Sequence, residues 1–382
     1  MRDTIVIAGA VARRPGCGGH AWVFLQYLLG FRRLGWDVLF LDELEIDPAG
    51  DSHAPHLTAS ALELAGLMER FGLGNDYSLN IGRGTRTVGL ARADVLERVG
   101  RSAFLLNVMG YLADEEILAR APRRVFLDID PGFGQIWKAE GLADIFQGHD
   151  DFVTIGENIG RPECVIPTCG LHWLTTPQPV VLEQWPSHED EPGRCWSSVM
   201  SWRGAFGPLT YQGQTYGLRP PEFRKFATLP RQSGRRFELA LDIHPDEVKD
   251  LAMLAENHWS LVNPAQVAGD PWRYRTHIQG SRAEFMVAKN LYVKTQGGWL
   301  SDRSLCYLAS GRPVLAQDTG IQSLYPTGLG LLTFSDLDEA TAGVEIVERD
   351  HAKQARGARA LAEEFFDSDR VLGRLLNKLG IA

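Results

Sequence analysis

Short apolar segments alternate with segments of helical periodicity along most of this chain, and this alternation restricts the folds that it can adopt. Thr4–Ala8 and Asp37–Leu41 have the length and composition of buried strands, and the apolar residues of His20–Leu34 between them recur at helical spacing. Strands that alternate with helices in this way form parallel sheets with helices on both faces. The pattern therefore predicts an α/β fold.

The alternation forms two series, which are separated by a segment of different composition. Six prolines fall within residues 160–194, and we place an interdomain linker near residues 184–194. We therefore expect two Rossmann-like, doubly wound domains that face each other across a cleft. Their predicted bounds are residues 1–184 and 195–350, and residues 351–382 are expected to form a closing helix that could pack back on the first domain.

The same periodicities predict the individual elements. They place one helix over Gln135–Phe146 and a single closing helix over Ala352–Leu379. Residues 76–90 match neither the helical nor the strand pattern, so they remain unassigned at this stage.

Composition and net charge restrict the classes of partner that this chain can bind. Its net charge of −9 argues against a nucleic-acid or anionic-membrane surface. No run approaches the ~18 apolar residues of a membrane span, and the first residues lack the layout of a signal peptide. Five cysteines without CxxC spacing indicate reduced thiols, and not a metal site or a disulfide frame. We therefore expect a cytoplasmic protein without an integral membrane segment.

The stretch Lys289–Gly320 is the strongest candidate for a ligand site. Two glycines lead into a helix start with hydroxyl groups, and such a start offers free backbone N–H groups and the positive end of the helix dipole. Both suit a phosphate, and Arg303 adds a cation that can hold phosphate oxygens bidentately. The residues of this stretch expected to bind a diphosphate are Gly298, Ser301, Asp302, Arg303 and Ser304.

A polar cluster follows the next predicted strand, Pro313–Ala316. Gln317 and Asp318 lie at the carboxyl end of that strand, where open α/β sheets bind ligands, and are expected to bond the hydroxyls of a sugar. An ordinary helix cap at Ser301 and an ordinary strand exit at Gln317 explain the same residues without a ligand. Both explanations stay open.

Two stretches resemble the GT-B glycosyltransferases, the nucleotide-sugar enzymes built from two facing Rossmann-like domains. The spacing of Gly19-His20 and Gly35-Trp-Asp-Val38 is similar to that of the UDP-glycosyltransferase type, where Gly-His opens the first helix and Gly-His-x-Val ends it. The block Ala309-Ser-Gly-Arg-Pro-Val314, after Gly297-Gly-Trp299, is similar to the donor-binding half of these enzymes. There, Glu-Ala-x-x-x-Gly-x-Pro-Val precedes a loop that contacts the sugar.

The resemblance implies roles for residues in both domains. It makes His20 the base that takes a proton from the acceptor hydroxyl, and the dipole at a helix N-terminus also favours a neutral imidazole. Asp128 or Asp130 is expected to orient the ring, with Asp130 preferred, although turn formation explains both aspartates equally well. The family's ribose-binding glutamate falls at Cys306 here, and Asp302, one helical turn earlier, is the candidate for its substitute.

Further candidates flank the expected cleft. Arg203 and Lys289 are expected to contact the diphosphate, and Gly19 and Trp22 the acceptor. A solvated arginine, a surface lysine and a core tryptophan are the structural alternatives. No metal is expected, because a helix dipole and an arginine can carry the charge of a diphosphate. The Asp128-Ile-Asp130 sequence resembles a metal motif but lies in the other domain.

Taken with the resemblance, the sequence predicts an inverting glycosyltransferase that takes a nucleotide sugar as substrate, needs no bound cofactor and acts on a small-molecule acceptor. A nucleotide-sugar 2-epimerase of the same fold and a two-domain sugar-binding protein are alternatives. A dinucleotide-dependent oxidoreductase is another, since Gly16–Gly19 and Asp42 roughly imitate its fingerprint, although Gly-x-Gly-x-x-Gly is absent.

Overall fold

The computed structural model describes residues 3–46, 55–82, 86–187, 193–204 and 206–381, and its strands form two large sheets and a small hairpin. The strands of these described residues are, in chain order, β1 (Thr4–Gly9), β2 (Asp37–Leu44), β3 (Tyr77–Ile81), β4 (Arg86–Gly89), β5 (Ser102–Val108), β6 (Arg124–Asp128), β7 (Asp151–Thr154), β8 (Trp173–Thr175), β9 (Trp196–Ser201), β10 (Leu209–Tyr211), β11 (Gln214–Tyr216), β12 (Phe237–Asp242), β13 (Trp259–Val262), β14 (Ala283–Met286), β15 (Val314–Gln317) and β16 (Leu331–Phe334).

Strand order shows that each half of the chain builds its own sheet. The first sheet has the order β4-β3-β2-β1-β5-β6-β7-β8, and the second has the order β13-β12-β9-β14-β15-β16. Neighbouring strands are parallel in both sheets, except for the antiparallel pair β3–β4 at one edge of the first. Strands β10 and β11 form the antiparallel hairpin. The predicted α/β class with two Rossmann-like sheets is confirmed.

Helices connect the strands and cover the sheets. In the described residues they are α1 (Gly18–Arg33), α2 (Pro55–Arg70), α3 (Arg92–Gly100), α4 (Glu115–Arg120), α5 (Phe133–Ala139), α6 (Pro220–Arg224), α7 (Leu229–Ser233), α8 (Val248–Glu256), α9 (Pro264–Val267), α10 (Pro271–Gln279), α11 (Asn290–Thr295), α12 (Asp302–Ala309), α13 (Leu337–Arg349), α14 (His351–Leu361) and α15 (Ser368–Lys378). Residues 5–8 of β1 are fully buried, which explains why the sequence there is a continuous apolar run. None of these helices has the length and apolar content needed to cross a membrane.

Two predicted elements differ from the structure, and one unassigned segment acquires strands. Residues 76–90 include β3 and β4, although residues 83–85 lie outside the described part of the chain, as do residues 188–192 of the predicted linker. The helix predicted over Gln135–Phe146 is α5, which begins at Phe133 and ends at Ala139. Gly141 then takes a φ of +67°, a left-handed conformation that stops a helix.

The predicted closing helix is broken near Asp367. Helix α14 passes into a π-helical turn over residues 362–366, and α15 starts anew at Ser368. The backbone of Val180 occupies the break, because its N–H donates to the Phe366 carbonyl at 2.8 Å and its carbonyl accepts from Ser368 N–H at 2.9 Å. A segment that is distant in sequence therefore replaces the helical hydrogen bonds, and periodicity alone cannot show this.

Helix α15 packs against α1 of the first sheet. A Cβ atom added at Gly30 would lie 2.5 Å from Leu372 Cδ1, so the two helices approach closely at this glycine. The side chains of Arg33 and Asp369 form an ion pair at 2.9 Å beside this contact. The end of the chain thus holds α1, whose first turn enters the candidate site.

Candidate functional site

A cleft of about 530 Å³ lies between the two sheets. Its walls are the segments that follow the carboxyl ends of β1, β5 and β6 in the first sheet and of β9, β13 and β14 in the second, together with the first turns of α1 and α12. Parallel α/β sheets bind ligands at this end of their strands, because the loops there diverge and leave a crevice. Of the predicted site residues, the cleft brings together Gly19, His20, Asp130, Lys289, Asp302 and Arg303.

His20 lies in the first turn of α1 with one ring nitrogen engaged. Its Nε2–H group donates to the carbonyl oxygen of Ala10 at 2.9 Å, so the proton sits on Nε2 and Nδ1 keeps its lone pair. The expectation that Asp128 or Asp130 orients the ring is wrong, because the loop after β1 folds back and supplies this carbonyl instead. Burial lowers the pKa of His20 to about 4, and the charge of Arg14 adds to this effect. The imidazole is therefore neutral at pH 7.

The depressed pKa of His20 predicts a specific acid sensitivity. An unfolded chain binds a proton at this residue near pH 6.5, whereas the folded chain does so only near pH 4. The stability contributed by the neutral ring is therefore present above pH 6.5 and lost as the pH falls toward 4, by about 3 kcal/mol in all. Urea unfolding at pH 7 and pH 4.5 should show a smaller loss for His20→Gln than for the natural chain. Equal losses in both proteins would contradict the prediction.

Asp128 is a structural residue and does not face the cleft. It is 2% exposed, and its Oδ2 accepts from Gln135 Nε2 at 2.7 Å and from Thr154 Oγ1 at 2.9 Å. Its Oδ1 accepts from the backbone N–H of Asp130 at 3.2 Å, so it holds the turn that follows β6. Burial raises its pKa to about 6. The predicted catalytic role of Asp128 is therefore corrected to one of turn formation.

Asp130 and Lys289 meet across the cleft from opposite sheets. The Lys289 Nζ atom lies 3.2 and 3.3 Å from the two carboxylate oxygens of Asp130. The rings of Phe133, Phe206 and Tyr292 surround the ammonium group, with centroids 4.8, 5.8 and 5.4 Å from Nζ. Burial raises the pKa of Asp130 and lowers that of Lys289, while their mutual attraction opposes both shifts. The pair joins the two halves of the molecule at the site.

Arg303 is held in a fixed orientation at the start of α12. Its Nε donates to Glu284 Oε1 at 2.5 Å and its Nη1 donates to the Val199 carbonyl at 2.8 Å, and no described residue accepts from Nη2. Glu284 is fully buried, so the guanidinium is fixed by a carboxylate that solvent cannot reach. Asp302 lines the cleft beside Arg303, and burial raises the pKa of its carboxyl.

Arg219 is a site residue that the sequence did not reveal. It precedes α6, and its Nη1 donates to the Ser201 carbonyl, while its buried Nε has no partner among the described residues. Burial and the nearby charge of Arg303 together lower its pKa to about 10. Arg14, in the loop before α1, also lines the cleft. Cations that lie close together repel one another, and an N–H group that has no partner among the described residues can donate to a ligand. Both features favour the binding of an anion.

Several residues predicted from the Lys289–Gly320 stretch face away from the cleft. Ser301 is 3% exposed and Ser304 fully buried, and neither lines the cavity, because the apolar face of α12 packs inward and takes these residues with it. Gly298 packs against Leu324 and donates its N–H to the Thr319 carbonyl at 2.8 Å. The first turn of α12 therefore presents Asp302 and Arg303, and not its hydroxyl groups, to the cleft.

The polar tip after β15 has internal partners. The Gln317 amide donates to Glu222 Oε2 at 2.9 Å and accepts from Ala288 N–H at 3.1 Å, and the side chain is 1% exposed. Asp318 accepts from Gly320 N–H at 3.1 Å, which closes the turn. Neither side chain lines the cleft, so the predicted sugar contacts are corrected to turn and core contacts.

Arg203 and Trp22 also lie outside the cleft. Arg203 is exposed and pairs with Glu247, because the loop after β9 turns its side chain to solvent. Trp22 is 1% exposed, contacts Phe71 and Trp185, and donates Nε1–H to the Pro271 carbonyl at 2.9 Å. Trp22 is therefore a core residue. Of the two predicted acceptor residues, Gly19 lines the cleft and Trp22 does not. Among the described residues, no three His, Cys, Asp or Glu side chains are grouped as metal ligands.

Comparison with known proteins identifies solved structures that share this architecture. The sequence matches no protein-family model and no curated protein. An α-glucosyltransferase in complex with UDP and a 13-mer DNA aligns over 100% of both chains with a TM-score of 0.60 and 11% identity. Sucrose-phosphate synthase from Thermosynechococcus elongatus aligns over 99% of both chains, with a TM-score of 0.58 and 12% identity.

The Anabaena protein HepE, in complex with UDP-glucose, aligns over 99% of this chain and 100% of its own, with a TM-score of 0.58 and 14% identity. Alignments over whole chains mean that both sheets and their arrangement are shared. Because the identities are this low, the likeness establishes the fold and not the reaction. The chain has the GT-B fold of two facing Rossmann-like domains.

Proposed function

We propose that this chain is a glycosyltransferase that moves a sugar from a nucleoside-diphosphate donor to an acceptor hydroxyl. One observation carries the proposal. Three cations of the second half, Arg219, Lys289 and Arg303, converge in a cleft of GT-B architecture that the neutral imidazole of His20 also lines. Two structural neighbours are complexes with UDP and with UDP-glucose, and these ligands support a nucleotide-sugar donor.

The proposal assigns one substrate to each domain. Residues 195–350 bind the nucleotide sugar and residues 1–184 bind the acceptor, and within residues 351–382 helix α15 returns to the first domain. Asp302 is the candidate for the ribose hydroxyls, since it lines the cleft. Cys306, at the position of the family glutamate, is 3% exposed and does not line it.

The cations of the cleft can stabilise the negative charge that develops on the departing diphosphate. The bond between the anomeric carbon and the diphosphate oxygen breaks with its electron pair on that oxygen, and preorganised donors stabilise the developing charge. Arg303 is preorganised by Glu284 and Val199, and Arg219 brings an N–H group that has no partner among the described residues. Asp130 pairs with Lys289, so the donor must compete with this carboxylate for the ammonium group.

His20 is the proposed base. The acceptor oxygen forms its bond to the anomeric carbon, and its proton passes to Nδ1, the ring nitrogen that is not engaged by Ala10. Attack opposite the leaving diphosphate inverts the anomeric centre, so we propose an inverting transfer. The donor enters as a substrate, and the proposal includes no bound cofactor or metal. A small-molecule acceptor and a cytoplasmic location complete it, and the net charge of −9 favours an acceptor other than nucleic acid.

Thermal unfolding in the presence of UDP-, GDP- and dTDP-sugars and NAD(P)H tests the proposed function. A ligand at about 100 times its Kd stabilises the native state by about 2.7 kcal/mol, so a nucleotide-sugar donor should raise Tm. Stabilisation by NAD(P)H alone would favour an oxidoreductase. Product analysis with and without acceptor then separates transfer from 2-epimerisation, and the anomeric configuration of the product decides whether the transfer inverts.

A further inference from the structure

A second cavity, of about 300 Å³, lies beside the cleft. The loop before α1, the middle of α2 and the start of α10 enclose it. Its apolar lining includes Ala21, Leu62, Leu64, Leu67, Pro271 and Trp272. No role predicted from the sequence falls on this cavity, and its apolar lining suits an uncharged ring.

Contacts between the two halves of the chain hold the cavity open in a fixed shape. Gly18 N–H donates to the Ala268 carbonyl at 2.8 Å, and a Cβ atom at Gly18 would lie 2.2 Å from the Asp270 carbonyl oxygen. Asp270 caps α10 by accepting from Trp272 N–H at 2.9 Å. The Trp272 ring stacks on Phe71, with centroids 5.4 Å apart and an interplanar angle of 19°. A preformed pocket of this kind needs no ordering when a ligand enters.

The cavity and the cleft lie on two sides of the N-terminus of α1. Arg14 and Cys17 line both spaces. Within the first turn of α1, Gly18 and Ala21 face the cavity, whereas Gly19 and His20 face the cleft. A molecule that lies over Cys17 can therefore place one end in the cavity and its other end beside the imidazole.

Three charged side chains of the cavity, Glu63, Arg70 and Asp270, have partners within the protein, and Arg14 and Ser60 also line it. Glu63 Oε1 accepts from Gly16 N–H at 2.8 Å. The Arg70 guanidinium lies 4.7 Å from the Trp272 ring centroid, in a cation–π contact. Each apolar group of a ligand that enters is removed from water, and this burial favours binding by about 25 cal/mol per Å² of apolar surface.

We propose that this cavity binds the apolar ring system of a hydroxylated acceptor, an alcohol or phenol of about one or two fused rings, and that the hydroxyl group projects past Cys17 to His20. The inference rests on the proposed function for the role of the hydroxyl. The occupant is set by size and chemistry, because the space is ring-sized, has a mainly apolar lining and shares Arg14 and Cys17 with the cleft that holds the proposed base.

Gly66 offers a substitution that fills the cavity without disturbing the fold. It lines the cavity on α2, one turn after Leu62, and a Cβ atom added there meets no described residue within 4 Å. Gly66→Ala removes a helix-interior glycine and should stabilise α2. Gly66→Phe keeps part of that gain and is designed to place a ring in the space, so Gly66→Ala is its matched control.

Isothermal titration with 4-methylumbelliferone, a two-ring phenol, tests the proposal directly. The natural chain and Gly66→Ala should bind the probe, Gly66→Phe should bind it about tenfold more weakly or worse, and all three should bind UDP equally. Failure of the natural chain to bind the probe, or unchanged binding by Gly66→Phe, overturns the proposal. Failure of the natural chain to bind UDP contradicts the proposed function instead, and leaves the probe titration to decide the cavity.

Turnover links the cavity to the reaction. Gly66→Phe should lower kcat/KM for glycosylation of 4-methylumbelliferone about tenfold or more, while hydrolysis of the donor, in which water is the acceptor, proceeds at the natural rate. An equal loss in both reactions would mean that the substitution disturbs the cleft itself, and it would overturn the acceptor role.

Discussion

Replacing His20 with glutamine is expected to lower kcat about a thousandfold while UDP affinity stays unchanged. A positioned general base contributes about 10² to 10⁴ in rate, and glutamine has no nitrogen that can accept a proton near neutral pH. The amide N–H₂ of glutamine can still donate to the Ala10 carbonyl, as Nε2–H of His20 does at 2.9 Å. The substitution therefore removes the Nδ1 lone pair and keeps the local hydrogen bond. Steady-state kinetics and UDP titration on the same preparations measure both effects.

A matched control separates this effect from a general loss of histidine. His244 is exposed and does not line the cleft, so His244→Gln should retain natural turnover. Near-natural turnover by His20→Gln would eliminate His20 as the base. Lower UDP affinity in His20→Gln would show that the ring acts on the donor, which the proposal does not include.

Replacing Arg303 with methionine is expected to weaken UDP binding about a hundredfold. Charge-assisted hydrogen bonds contribute about 1.5–3 kcal/mol each, and about 2.7 kcal/mol corresponds to a hundredfold change in affinity. The substitution also leaves the fully buried carboxylate of Glu284 without its cation. Breaking one side of a buried ion pair costs about 3–5 kcal/mol of stability, so the single variant should also unfold more easily.

A second variant and a control isolate the contribution of Arg303 to binding. Arg303→Met combined with Glu284→Gln should recover much of the lost stability, because no charge remains buried, but it should not recover UDP affinity. Arg203→Met is the matched control, since Arg203 is exposed and paired with Glu247 outside the cleft. Unchanged UDP affinity in the Arg303 variants, or an equal loss in Arg203→Met, would remove the phosphate assignment.

Part of the site was predictable because local sequence places it. His20 opens a helix after a glycine-rich loop, and Arg303 starts a helix after a glycine pair, so each lies at the carboxyl side of a predicted strand. Parallel strands align these ends, and the cleft follows. Asp130 and Lys289 follow the strands β6 and β14 for the same reason, although their pairing across the cleft depends on how the two sheets face each other.

The errors arose where side-chain direction decides function. Ser301 and Ser304 lie in the same helical stretch as Arg303, but the apolar face of α12 turns them inward. Gln317 ends a strand as predicted, yet Glu222 and the Ala288 backbone engage its amide. The sequence did not indicate Arg219 as a site residue, because it directly precedes the Pro-Pro start of a short helix and belongs to no recognisable motif. A Pro-Pro helix start directly after an arginine was the one available indication.

The order of short apolar runs and amphipathic segments determined by itself that this protein has two mainly parallel sheets, because buried strands and the apolar faces of helices must pack against each other. The antiparallel edge pair β3–β4 lies in the segment that this pattern left unassigned. Only the tertiary structure decided which polar groups are left unpaired in the cleft. Hydrogen bonding of a side chain such as Asp128, Gln317 or Arg303 depends on neighbours far along the chain, and no local pattern encodes those neighbours.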